Sequence, residues 1–125
     1  MSDQDKGDPD VVVHGITSCD TVRKARRWLD EHDVPYRFHD LREDGLDAAT
    51  LDRWIERLDD WGVLVNRRGT TWRRLAEEER ADLDRERAIA LMAAHPTVIK
   101  RPVVERGERV LVGFDEGLWS RLLRA

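Results

Sequence analysis

Apolar and polar positions change period several times along the chain, and each change marks an element. Val11, Val12 and Val13 form a β-branched run ending at Gly15-Ile16, the pattern of a buried strand. Thr17-Ser18-Cys19-Asp20-Thr21 is rich in helix-capping residue types. From there Val22, Ala25, Trp28 and Leu29 recur at helical spacing, with Arg23, Lys24, Arg26 and Arg27 turned outward. Cys19 thus falls in a strand-to-helix turn, at or just before a helix N-terminus. Pro35 to Asp40 begins with a proline and alternates aromatic with polar, which predicts a second strand. Val11 to Asp40 is then a β-α-β unit, with parallel strands and a right-handed crossover.

Gly45 breaks the chain, and Asp47 is a good N-cap for a helix with the stripe Leu51, Trp54, Ile55 and Leu58, ending near Gly62. Val63-Leu64-Val65 fits either a strand or a helical turn. Arg67 to Trp72 reads as a loop, and Glu77 to Ala94 as one charged helix with Leu83, Ile89 or Ala90, and Leu91 inward. That helix must stop near His95, because the residue before Pro96 is driven out of the helical region. Thr97-Val98-Ile99 and Pro102-Val103-Val104 flank Lys100-Arg101. Glu105 to Arg109 then turns into Val110-Leu111-Val112, a hairpin in which Gly107 supplies a positive φ. Asp115 caps a last helix with Leu118, Trp119, Leu122 and Leu123 on its inner face. The order β-α-β, helices, β-β-α predicts an α/β fold interrupted by a helical insert.

Composition narrows the function. The chain has 125 residues, 40% of them hydrophobic and 38% charged, with 22 Lys plus Arg against 26 Asp plus Glu for a net charge of −4. That size holds a core without disulfides or metal, and the negative balance argues against a direct nucleic-acid binder or an anionic membrane surface as partner. Met1 to Asp10 is acidic and polar, unlike a signal peptide, and is expected to be a disordered tail; the cytoplasm is the expected compartment. A single cysteine rules out an intramolecular disulfide. The four histidines never fall at i, i+3 or i, i+4, so no metal is expected.

Cys19 is the sharpest chemical candidate. Free N–H donors and the positive end of the helix dipole favour a thiolate, the reactive form, at a helix N-terminus. Asp20 opposes this and the basic face from Arg23 and Lys24 supports it; a small residue filling the strand–helix junction is the structural alternative. Arg101, held extended by Pro102, is the second candidate, able to bind an oxyanion or carboxylate beside a thiolate, or else an ordinary surface arginine. Asn66, Arg67 and Arg68 form a weaker polar group that reaches over a pocket or simply solvates a loop. His14, on an alternating strand, fits a core-edge histidine better than a base.

Four segments together resemble one family: Gly15-Ile16-Thr17-Ser18-Cys19-Asp20-Thr21-Val22-Arg23-Lys24-Ala25, Arg37-Phe38-His39-Asp40, Arg68-Gly69-Thr70-Thr71-Trp72-Arg73, and His95-Pro96-Thr97-Val98-Ile99-Lys100-Arg101-Pro102. They are similar to the ArsC/Spx superfamily, nearest to its YffB-like branch, over about residues 11 to 124. The resemblance implies a thioredoxin-like fold with a helical insertion. It makes 11–125 one ArsC-like domain, with the core at 11–44 and 96–125 and the helical insert at 45–95, after the tail at 1–10.

It also implies that Cys19 is the redox nucleophile, flanked by Arg101 and a cis Pro102, with Ser18, Arg67 and Pro102 on the substrate side. Glutaredoxin-coupled arsenate reductases of the superfamily attack arsenate with this thiolate, hold the oxyanion with three arginines, and regenerate the thiol with glutathione and glutaredoxin. Those enzymes place a His four positions before the cysteine and a Ser three after it, where this chain has Gly15 and Val22. Their loop arginine falls near Asn66, with Arg67 one position away, and their last arginine falls near Val112. The second cysteine of the Spx switch is also replaced by Val22. The expectation is a glutathione-dependent thiol reductase or thiol-transfer protein, with Arg101 stabilising the thiolate or binding a carboxylate and the Pro102 backbone pairing with the ligand's peptide part. Glutathione is the co-substrate, no cofactor is bound, and glutaredoxin is a candidate partner. A glutaredoxin-coupled arsenate reductase and an Spx-like regulator bound to RNA polymerase without catalysis are the alternatives.

Overall fold

The computed structural model describes residues 10–123; of the tail expected at 1–10, residues 1–9 lie outside the described residues. The chain divides into two compact units, Met1–Asp40 with Arg101–Ala125, and Leu41–Lys100.

The first unit holds β1 (Val11–Gly15), α1 (Asp20–Glu31), β2 (Arg37–Asp40), β3 (Val103–Arg106), β4 (Arg109–Val112) and α6 (Glu116–Leu122). Its four strands form one sheet in the order β2-β1-β3-β4. β1 runs parallel to β2, with Val13 opposite Phe38, and antiparallel to β3, with Val13 opposite Val104. β3 and β4 are antiparallel around a turn in which Gly107 has φ +60°. A β-α-β half joined to a β-β-α half in this strand order is the thioredoxin-like α/β arrangement.

Alternation along the strands sends Val11, Val13, Val104 and Leu111 to one face, where they pack with Ala25, Trp28 and Leu29 of α1 and with Trp119 and Leu123 at the α6 end. Phe114 and Trp28 meet the Trp119 ring at 4.8 and 5.9 Å in tilted, edge-on contacts, a favoured aromatic geometry. The stripe Val22, Ala25, Trp28 and Leu29 is buried as its spacing predicted. Asp115 caps α6 by accepting from Leu118 N at 3.0 Å.

The second unit holds α2 (Ala48–Glu56), α3 (Thr70–Arg74), α4 (Glu77–Arg80) and α5 (Arg85–Ala94), with 3-10 turns at Trp61–Leu64 and Pro96–Val98. Asp47 caps α2 by accepting from Thr50 N, and Leu51, Trp54 and Ile55 are buried. The helix stops at Glu56, well short of Gly62. Val63-Leu64-Val65 is divided: Val63 and Leu64 lie in the first 3-10 turn, and Val65 makes an isolated antiparallel bridge with Ile99.

Three expectations need correction here. The segment expected as a loop runs into α3 at Thr70, because Gly69 adopts an extended N-cap conformation and its carbonyl accepts from Arg73 N. The single helix expected over Glu77 to Ala94 is two, because Asp82 turns to φ +53° and Asp84 starts a new helix by capping Arg87 N. Of the expected inward residues Leu91 is buried, but Ala88 and Met92 are buried in place of Ile89 or Ala90, and Leu83 is only half-buried. Thr97 and Val98 lie in a 3-10 turn.

Candidate functional site

Cys19 is the N-cap residue of α1, with extended backbone at φ −82° and ψ 124°. Its N–H donates to the Ile16 carbonyl at 3.1 Å and its own carbonyl accepts from Arg23 N at 2.9 Å, so the backbone is engaged on both sides. The thiol makes no capping hydrogen bond and is half-buried. Ser18 and Thr17 before it and Asp20 after it are exposed. The turn is tight because Gly15, the end of β1, lies under the first turn of the helix. A Cβ at Gly15 would stand 2.8 and 2.9 Å from the two methyl carbons of Val22.

Arg23 wraps this turn. Its Nη1 donates to Asp20 Oδ1 at 2.8 Å, its Nε to the Thr17 carbonyl and its Nη2 to the Ser18 carbonyl, both at 3.3 Å. Helical periodicity alone places Arg23 on an outward basic face. Its spacing of three from Asp20 and four from Cys19 is the one signal that points inward, since side chains three and four apart share a helix face.

Arg101 and Pro102 belong to the same unit as Cys19, at the entry to β3, and the peptide bond between them is cis. Arg101 is half-buried and Pro102 buried. Pro102 has no N–H, and its carbonyl accepts from Gly113 N at 2.8 Å. The backbone pairing expected of Pro102 therefore has only the second carbonyl lone pair left to it.

Arg67 lies in the other unit, exposed, with its guanidinium 5.4 Å from the centre of the Trp72 ring. Arg80 approaches the same ring at 5.9 Å. Asn66 holds its own loop, accepting from Arg68 N through Oδ1 while its backbone N–H donates to the Val98 carbonyl.

A second polar group sits on the sheet face opposite Val13. His14 Nε2 donates to Glu105 Oε2 at 2.7 Å, and the His14 and His39 rings are 5.1 Å apart. His14 is a buried core-edge histidine, 6% exposed, held through Nε2 by this bond. The sequence hides its partner because Glu105 reads as part of the hairpin turn, whereas β3 runs through Arg106 and places Glu105 opposite Val12, beside His14. Among the described residues no group of three or more His, Cys, Asp or Glu side chains is arranged to hold a metal ion.

The ArsC family model matches residues 14–122, from the end of β1 through the last helix. The chain belongs to the ArsC family. A solved structure described as a YffB protein is 50% identical, covers 90% of this chain and 98% of its own, and superposes with a TM-score of 0.86. An arsenate reductase related protein of Brucella melitensis is 43% identical over 92% of this chain and 95% of its own, with a TM-score of 0.71. The global transcriptional regulator Spx of Listeria innocua is 27% identical over 90% of this chain and 86% of its own length. The family thus spans proteins named for an enzyme and for transcriptional control, and both kinds align over most of this chain. No helix among the described residues is long and apolar enough to cross a membrane.

Proposed function

We propose that this ArsC-family protein is a glutathione-dependent thiol oxidoreductase working through Cys19 alone. The observation that carries the reading is the place of Cys19 as N-cap of a twelve-residue helix, with its sulfur free of any capping bond. Helix N-termini offer unsatisfied N–H groups and the positive end of the helix dipole to an anion. A thiolate held there attacks without a dedicated base.

The chain has one cysteine, so the cycle is monothiol. The Cys19 thiolate attacks the glutathione sulfur of a mixed disulfide; the old S–S bond breaks, and the other thiol leaves as thiolate and takes a proton from water. A glutathione thiolate then attacks the Cys19–glutathione disulfide, releasing oxidised glutathione and restoring the Cys19 thiolate. Two glutathione sulfurs end in one disulfide and one bound thiol is released in reduced form per turnover, so the electrons balance. Arg101 binds a glutathione carboxylate or steadies the thiolate. Glutaredoxin is the partner class that would compete for the same adduct.

The test is turnover of the mixed disulfide of glutathione and 2-mercaptoethanol in the presence of reduced glutathione. The intact protein is expected to form oxidised glutathione faster than the uncatalysed exchange, and Cys19→Ser to lose all of that excess. A rate for the intact protein equal to the uncatalysed one overturns the reading. The same assay with arsenate in place of the disulfide, supplemented with glutaredoxin, decides between thiol transfer and arsenate reduction.

The match to Spx supports a second reading, a regulator that docks on RNA polymerase. Capture of RNA polymerase, unchanged by Cys19→Ser and without thiol turnover, would favour it.

A further inference from the structure

An exposed Arg–Asp pair three residues apart on a helix is worth little, because both side chains swing freely in water. The pair Arg23–Asp20 is built differently. The guanidinium that takes Asp20 Oδ1 at 2.8 Å also donates from Nε to the Thr17 carbonyl and from Nη2 to the Ser18 carbonyl. Each of its three nitrogens has one partner, and the backbone N–H of the same residue holds the Cys19 carbonyl at 2.9 Å. Arg23 therefore bonds, through backbone or side chain, to every residue from Thr17 to Asp20.

The partners share a sign. Two carbonyl oxygens and one carboxylate flank the thiol in sequence, and each is the negative end of its group. All three belong to residues next to or two before Cys19. Of them the Asp20 carboxylate is the strongest opponent, being a full charge on the adjoining residue and exposed enough to rotate.

We propose that Arg23 is a positioning residue for Cys19, one that takes up the Asp20 carboxylate and so keeps the adjoining thiol reactive; the inference rests on Cys19 being the nucleophile. The two carbonyl bonds fix the guanidinium on the turn, and the fixed guanidinium fixes the carboxylate. The bond to the Asp20 carboxylate is the route by which Arg23 acts on the thiol.

The experiment is the rate of Cys19 alkylation by iodoacetamide at neutral pH, in the folded full-length protein and in urea-unfolded controls. Arg23→Ala is expected to slow the folded protein by about threefold to fivefold, the size of one charge–charge repulsion over a few ångström of water-like dielectric. Arg23→Lys should recover most of the rate, because an ammonium still pairs with Asp20. Asp20→Asn in the Arg23→Ala background should recover it too, by removing the charge that needed a partner. Added salt should shrink the deficit of Arg23→Ala, as screening of exposed charges requires, whereas a merely loosened helix would not respond that way. An Arg23→Ala protein as fast as the parent, or a deficit untouched by Asp20→Asn, overturns the inference. A parent protein that also fails to turn over the glutathione disulfide removes the thiol reading and this inference with it; turnover by the parent alongside an indifferent Arg23→Ala removes the inference alone.

Discussion

Gly15 and Val22 share one space: a Cβ on the glycine would lie 2.8 Å from one Val22 methyl and 2.9 Å from the other. Val22 has no solvent exposure, so its methyls have nowhere to retreat. The end of β1 and the first turn of α1 therefore meet as backbone against side chain, with the Cys19 turn between them. They are also two of the positions where the resemblance to the arsenate-reducing enzymes departs, His and Ser there against Gly and Val here. The structure makes the two departures one feature, because a side chain at position 15 and the Val22 methyls exclude each other.

Gly15→Ala is accordingly expected to destabilise the protein by about 1–3 kcal/mol, the usual cost of forcing extra volume into a packed site. Val22→Ala in the same chain should recover part of that loss by clearing the clash, so the double variant should lose less than the two single variants added together. Urea unfolding of the four proteins checks this. A Gly15→Ala variant as stable as the parent would show that the strand end yields freely.

On the other sheet face, Glu105→Ala removes the carboxylate that accepts from His14 Nε2 at 2.7 Å. A buried ring nitrogen stripped of its acceptor should cost about 1–3 kcal/mol, whereas replacing both partners by apolar groups should cost less. The expected order of stability is parent, then His14→Leu with Glu105→Leu, then Glu105→Ala. A Glu105→Ala protein more stable than the double variant would mean that the pair contributes little to the sheet.

Much of this architecture is legible without coordinates, and the reasons differ by region. α1 is readable because Val22, Ala25, Trp28 and Leu29 keep one period and all four are buried. Asp47 and Asp115 announce their helices because a carboxylate that accepts from a first-turn N–H is a local signal. The break at Asp82 is not readable: Leu83 and the alanines beyond it continue a helical pattern, and Asp84 looks like one more charge on a solvated face rather than a cap. The His14–Glu105 pair joins residues 91 apart in sequence, so no local pattern reveals it. Within the candidate site, Cys19 stands out through its turn. The bonds of Arg23 to the Thr17 and Ser18 carbonyls are hidden, since sequence does not tell where an exposed side chain curls back.

Acid should weaken α2 through Asp47. The hydrogen bond from Thr50 holds the Asp47 carboxyl below its ordinary value of 3.8, with a smaller contribution from nearby Arg53. A carboxyl whose value is lower folded than unfolded adds stability that is fully present above 3.8 and is lost as pH falls through the lower, folded-state value. Asp47→Asn keeps a capping oxygen but removes the titration, so its stability should fall less steeply than the parent's across that acid window. Equal acid slopes for the two proteins would show that the Thr50 bond is unaffected by protonation.

Under the proposed thiol chemistry, substituting Arg101 is expected to separate ligand binding from intrinsic thiol reactivity. It shares a unit with Cys19 and precedes the buried, cis Pro102. A guanidinium that grips a carboxylate contributes through charge-assisted hydrogen bonds, so Arg101→Ala should slow Cys19 adduct formation from oxidised glutathione by about tenfold. Its reaction with the neutral disulfide of 2-mercaptoethanol offers no carboxylate to grip and should be nearly unchanged. Time-resolved mass measurement of the two adducts gives both rates from the same protein. Equal slowing with both reagents would assign Arg101 to the thiolate itself, and no slowing with either would remove it from the mechanism.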